Sequence, residues 1–280
     1  MKIGQNTYKL ILLDTNALRE IVTNTNLSGK GFLQTFFTGE SSYAPCFSIY
    51  NVIELMPYED IYEKFLEYFS IIPCLMTFPA KSIFQAEVDC YTKGIPFEIT
   101  NQVAYAFTPL STEIGYNCKH FFDNLVNQTS LMDTIHSEIN NFPSIAKDWE
   151  FKRDNTKRML KQQHLPLNMI DDKFYKFHEA QTVIKDLVNF GIPVTSNIDI
   201  SKLPASRLME YSQFLRIFKT QKTIKPNDVM DVLISSIAPY VDAVITENFQ
   251  ADVYKKAKKL IPQIKELEIY RLKDIRMDAG

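Results

Sequence analysis

The chain opens on a short, mostly apolar run, Tyr8–Leu13, that stops at Asp14-Thr15-Asn16. A run this short, apolar on both faces, fits a parallel strand buried between neighbours rather than a half-exposed alternating one. Ala17–Val22 then starts a helix. Tyr43–Phe47 is a second, weaker strand signal. Ser48 is a good N-cap for a helix over Ile49–Met56, which Pro57 ends or kinks. Helices follow over Tyr58–Ser70 and Lys81–Tyr91, the second stopped by Gly94 and Pro96. The pattern then changes. Residues 98–220 show helical periodicity, many polar positions and few strand signals. Helices are predicted there over His120–Ile139, Ile145–Gln163 and Asp172–Phe190, with a further break at Pro204. Beyond it, Pro226-Asn227 lead into a helix Asp228–Ala238, Ala243–Ile245 is a short strand, Phe249–Leu260 a helix and Leu267–Leu272 a last strand. Strand and helix alternate at both ends. That predicts an α/β fold with a central parallel sheet flanked by helices, built from residues 1–97 and 221–280, with 98–220 as a mostly helical insertion.

Composition narrows what such a fold does. Of 280 residues, 45% are hydrophobic and 23% charged, which is ordinary globular chemistry. The formal net charge is −2, so any polyanion would have to be gripped by a local basic patch. No stretch approaches the roughly 18 apolar residues that span a bilayer, and no membrane partner is expected. The four cysteines are widely spaced without a CxxC, which reads as buried thiols in a reducing, cytoplasmic setting. The histidines show no zinc spacing. Neither GxxxxGK[ST] nor GxGxxG occurs, which removes P-loop and Rossmann cofactor sites.

The polar residues that interrupt the apolar pattern are mainly acids. Asp14 ends the first strand, at the sheet edge where open α/β folds place their sites, and it equally suits a helix cap. Glu54 sits among Val52, Ile53 and Leu55, as a solvated stripe or as a buried acid with a purpose. Asp228 and Asp231, three apart, share one helix face, where their repulsion would favour a divalent cation. The first also complements the helix dipole. Asp242 and Glu247 bracket the Ala243–Ile245 strand, and Asn248 follows. Oxygen ligands without Cys or His suit hard cations, Mg²⁺ or Mn²⁺.

Four segments in this order resemble the PIN-domain family of metal-dependent ribonucleases: LILLDTNAL (10–18), SIYNVIEL (48–55), NDVMDVLISSIA (227–238) and AVITENF (243–249). The resemblance covers about the first 95 and last 65 residues. It implies hydrolysis of phosphodiester bonds, with Asp14, Glu54, Asp228 and Asp231 as catalytic and metal-binding acids. Glu247 or Asn248 would orient a metal-bound water, Asn248 standing where the family often has an Asp. Asp231 is the favoured third acid and Asp228 its partner. Thr15, Asn16, Ser48 and Thr246 would support these groups, or serve simply as caps and turn residues. The implied enzyme is an endoribonuclease, in RNA turnover, as a toxin-like effector or in defence. It would form a homodimer or take an antitoxin-like partner. DNA as substrate stays open, as does a PIN-like binding module with incomplete metal chemistry.

Basic residues offer the substrate grip. Arg216, Lys219, Lys222 and Lys225 lead directly into the acidic helix and are the best candidates to hold phosphates. Two other clusters, Lys152–Lys161 and Lys255–Lys259, read as solvated helix faces. Tyr211, Phe214 and Phe218 share a helical face that suits core packing better than base stacking.

Overall fold

The structure is a computed structural model; it describes residues 1–276 apart from 4–5, 38–42, 71, 73, 100–102, 107–117 and 196. A two-residue hairpin, β1 (Lys2–Ile3) with β2 (Asn6–Thr7), precedes the main sheet. That sheet contains β3 (Lys9–Leu13), β4 (Tyr43–Ser48), β5 (Leu75–Thr77), β6 (Val103–Ala106), β7 (Ala243–Thr246) and β8 (Glu268–Arg271). Their spatial order is β6-β5-β4-β3-β7-β8. Every pair is parallel except the β5–β6 edge. The five-stranded parallel core is the α/β sheet that the alternating pattern predicts.

The apolar run explains why β3 lies at the centre. Leu10, Ile11, Leu12 and Leu13 are all at most 2% exposed, because β4 and β7 flank the strand and helices cover both faces. From β3 the chain steps outward to β4 and β5, then returns to β7 on the other side of β3. The strand order therefore reverses between β3 and β7. At such a switch point the connections leave the carboxyl edge in opposite directions and open a crevice.

The helices are α1 (Thr15–Thr23), α2 (Lys30–Phe37), α3 (Ile49–Leu55), α4 (Glu59–Phe69), α5 (Ala80–Lys93), α6 (Cys118–Val126), α7 (Thr129–Gln162), α8 (Asp172–Asn189), α9 (Pro204–Lys219), α10 (Pro226–Ser235) and α11 (Asn248–Ala257). Gly94 ends α5 at φ +66°, a left-handed cap position that glycine takes without strain.

Residues 98–220 differ from their sequence reading in two ways. They contribute the antiparallel edge strand β6. The helix break expected between Ile139 and Ile145 falls instead at 127–128, and α7 runs unbroken for 34 residues through Pro143. A proline removes one backbone bond. Here Ile135, Phe142, Ala146 and Trp149 are buried on both sides of it, and α7 packs along α9 and α10, which offsets that loss. Within α9, Tyr211 and Phe214 are core residues. Cys46 and Cys74 are buried and Cys90 is partly buried; the side chains of Cys118 and His120 lie outside the described residues. No described helix is long and apolar enough to cross a membrane.

Helix α9 is fixed from its first turn by another helix. Glu87 of α5 is 1% exposed and accepts hydrogen bonds from Ala205 N (2.7 Å), Ser206 N (3.1 Å), Ser206 Oγ (2.8 Å) and the Tyr240 hydroxyl. A helix N-terminus carries unpaired N–H groups and partial positive charge, so it attracts a carboxylate. Burial nevertheless pushes the Glu87 carboxyl up from 4.5 to about 7, its four hydrogen bonds opposing the shift. The folded state therefore binds the proton more tightly than the unfolded chain. Stability from this group is complete below about pH 4.5 and declines as pH rises through about 7, by on the order of 3 kcal/mol. Glu87→Gln is expected to remove that slope. Urea unfolding of both proteins at several pH values in this window checks it, and parallel profiles would contradict the assignment.

Candidate functional site

The β3/β7 crevice is built by residues that the elements place, not by one contiguous motif. Asp14 follows β3 and is half-buried. Its Oδ1 accepts from Ala17 N (2.7 Å), capping α1; its Oδ2 accepts from Thr246 Oγ1 (2.5 Å) and Glu247 N (3.0 Å) at the end of β7. One carboxylate thus caps a helix and also joins the two strands across the switch point. Burial raises its pKa to about 6, with those three donors pulling the other way.

Glu247 precedes α11 and receives a hydrogen bond from the Asn16 side-chain amide. Asn248 is the first residue of α11, is exposed, and does not line the crevice. Of the two candidates at this strand end, Glu247 is the one brought in. Asp242 lies at the opposite, amino end of β7, where its Oδ2 accepts from Leu10 N (2.7 Å), a purely structural link.

Asp228 and Asp231 lie on α10, as their spacing predicts. Asp228 Oδ2 accepts from Lys225 N (2.7 Å), closing the first turn of the helix. Arg216 of α9 reaches both acids, with Nη1 at 2.9 Å from Asp228 Oδ1 and Nη2 at 3.2 Å from Asp231 Oδ2. Its guanidinium also lies over the Phe249 ring, 4.2 Å from the centroid. Burial pushes the Asp231 carboxyl up to about 7; Arg216 opposes this, and Asp14, Glu54 and Asp228 add to it as neighbouring charges. Four acids from three stretches of chain therefore meet here. Glu54 is held by Asn227, whose Nδ2 donates to Oε1 at 2.9 Å.

Two asparagines that the sequence reading passed over organise the surroundings. Asn51, fully buried, accepts from Ser48 N (2.7 Å) and donates to Thr15 Oγ1 (3.0 Å), so it ties the β4–α3 turn to the β3–α1 turn. Ser48 caps α3 as predicted, through Tyr50 N at 3.3 Å. Asn51 had one visible signal, its position three residues after a serine cap. Asn227 had none.

The basic candidates separate. Arg216 is committed to the two aspartates. Lys219 donates to the Ile170 carbonyl. Lys222 and Lys225 are exposed; the carbonyl of Lys222 is held by Arg153 Nη1 at 2.8 Å.

Asp14, Asn16, Arg216, Asp231, Glu247 and Phe249 line a small cleft of about 20 Å³, room for about one water. Its carboxylate oxygens have the right chemistry for a hard divalent cation. Their spacing does not match it: among the described residues, no three acidic, histidine or cysteine side chains stand close enough together to hold a metal ion. Arg216 supplies the positive charge that these acids share. In comparisons with known proteins, the chain matches no family model, no curated protein and no solved structure. The class that fold and site define is therefore a parallel α/β protein with an acidic, arginine-braced crevice at its switch point.

Proposed function

We propose that this protein is a PIN-like, divalent-cation-dependent endonuclease acting on RNA. The observation that carries the reading is the shared cleft: Asp14, Asp231 and Glu247 come from distant stretches of sequence and line it together, with Glu54 near enough to influence Asp231. Structural acids are usually paired one by one, and gathering several at the carboxyl edge of a parallel sheet is costly without a cation. As placed, these acids stand too far apart to hold Mg²⁺ or Mn²⁺; the reading requires the Asp231 side chain to leave Arg216, after which Asp14, Asp231 and Glu247, with Glu54 nearby, would supply the oxygens that such an ion takes. Such an ion supplies Lewis-acid stabilisation of phosphoryl charge. Lys222 and Lys225, exposed just before α10, would hold the phosphates of a strand entering the cleft.

One observation favours a second reading, a nucleic-acid or protein binding module without cleavage. Arg216 already neutralises Asp228 and Asp231, as an internal substitute for a metal would.

Thermal unfolding with Mn²⁺ against EDTA separates the two. Binding to the native state at about a hundredfold excess over Kd adds roughly 2.7 kcal/mol, a rise of several degrees in Tm. A rise accompanied by cleavage of labelled single-stranded RNA supports the nuclease. An unchanged Tm with no cleavage of RNA or DNA leaves the binding module.

A further inference from the structure

A much larger space than the acidic cleft lies elsewhere among the described residues: an open-mouthed cavity of about 660 Å³ lined by α7, α8, α9 and α10, within the size range of small-molecule sites. Its walls are mainly apolar, with Phe142, Trp149, Met209 and Val232 each at most 8% exposed. Polar side chains of α8 and α9 share the lining. Glu210, 3% exposed, is among them: burial and its hydrogen bond with Asp186 hold its carboxyl well above the usual carboxylate range, Thr182 opposes this, and its Oε2 has no hydrogen-bond partner. Asp186 lies against it and takes a hydrogen bond of its own from Gln213 Nε2 at 3.4 Å. Lys152 and Lys185 stand exposed at the rim.

An unpartnered buried carboxyl oxygen is destabilising, and neither the apolar wall nor Gln213 supplies it with a donor. A ligand donor would. We propose that this cavity binds a small organic molecule with a flat apolar body, packed against Trp149 and Phe142, and an N–H-bearing head held by the Glu210–Asp186 carboxyl pair. The head is an alkylammonium or the amino group of a heteroaromatic base; in the second case, a phosphate on the same molecule would reach Lys152 and Lys185. This site is independent of the nuclease reading, and it shares only helices α9 and α10 with the acidic cleft.

Trp149 is the chain's single tryptophan, so its fluorescence reports on this cavity directly. Titrating the full chain with phenethylamine and, separately, with AMP distinguishes the two kinds of head. Saturable quenching or a wavelength shift with Kd below about 1 mM is expected for at least one of them. For that probe, Glu210→Gln and Asp186→Asn are each expected to weaken binding about tenfold, the loss of one charge-assisted hydrogen bond. Val232→Phe, which fills the space without touching the acids, is expected to abolish binding while the protein stays folded. The proposal is overturned if neither probe binds below about 1 mM. It is equally overturned if 2-phenylethanol binds as well as phenethylamine where phenethylamine is the binding probe, or if both acid variants bind like the parent protein.

Discussion

Asp231→Asn is expected to reduce Mn²⁺-dependent RNA cleavage by about a hundredfold or more while leaving thermal stability equal or higher. The two halves have separate causes. Activity falls because the cleft loses the carboxylate that Asp14, Glu54 and Asp228 surround. Stability does not fall because that same crowding, together with burial, makes the ionised form costly, which is why its pKa rises to about 7. The substitution does weaken one contact, the 3.2 Å pair with Arg216. The Asp231 side chain is 37% exposed, so solvent screening limits that pair to under about 1 kcal/mol. Asp228 remains to hold Arg216. Relief of repulsion therefore wins. A variant that cleaves RNA at the parental rate would remove Asp231 from the mechanism. One that melts well below the parent would mean that the aspartate is a structural anchor for the arginine.

Glu179→Ala is expected to destabilise the fold by about 3–5 kcal/mol, measured by urea unfolding. Glu179 of α8 and Arg207 of α9 form an ion pair at 2.7 Å, with side-chain exposures of only 8% and 9%. Arg207 Nη2 also donates to the Leu260 carbonyl at 2.9 Å, beyond the end of α11. Removing the glutamate leaves a buried guanidinium with a carbonyl and no counter-charge. That penalty exceeds anything an exposed pair such as Lys64–Asp60 could produce. Glu179→Gln keeps an acceptor and should cost less. The double variant Glu179→Leu/Arg207→Met should recover much of the loss, because it removes the stranded charge as well. A loss under about 1 kcal/mol for Glu179→Ala would show that water reaches this pair.

What the sequence made legible followed the range of the interactions involved. β3 and its Asp14 stop were readable because a mostly apolar run ending in a cap residue has few other uses. The Ser48 cap and the shared face of Asp228 and Asp231 were readable because they are fixed within one helical turn. The three-residue β5 and the four-residue β6 were not. Strands that short carry too few positions for a period to register. The single helix α7 was read as two because the packing on α9 and α10 that carries it through Pro143 is distant in sequence. The cleft itself was half legible. Its acids announced themselves by type and order. The cation that braces them did not, because nothing local marks Arg216 as the partner of two aspartates rather than of phosphate. Asn227 meets Glu54 across 173 residues, a pairing that no spacing could suggest.

Helix α9 has almost no outward face: every residue from Pro204 to Leu215 is buried, and so is Ile217. Glu87 grips its first turn, Glu210 faces the large cavity, and Arg216 spans the aspartates near its end. It lies in sequence within the segment that a minimal α/β layout would dispense with, yet structurally it is the keel on which both halves rest. Trimming the chain to a compact α/β kernel by excising 98–220 would thus strip away the arginine and expose the flanks of α5, α10 and α11 together. A shortened version has to retain this helix and graft its two ends onto new connections.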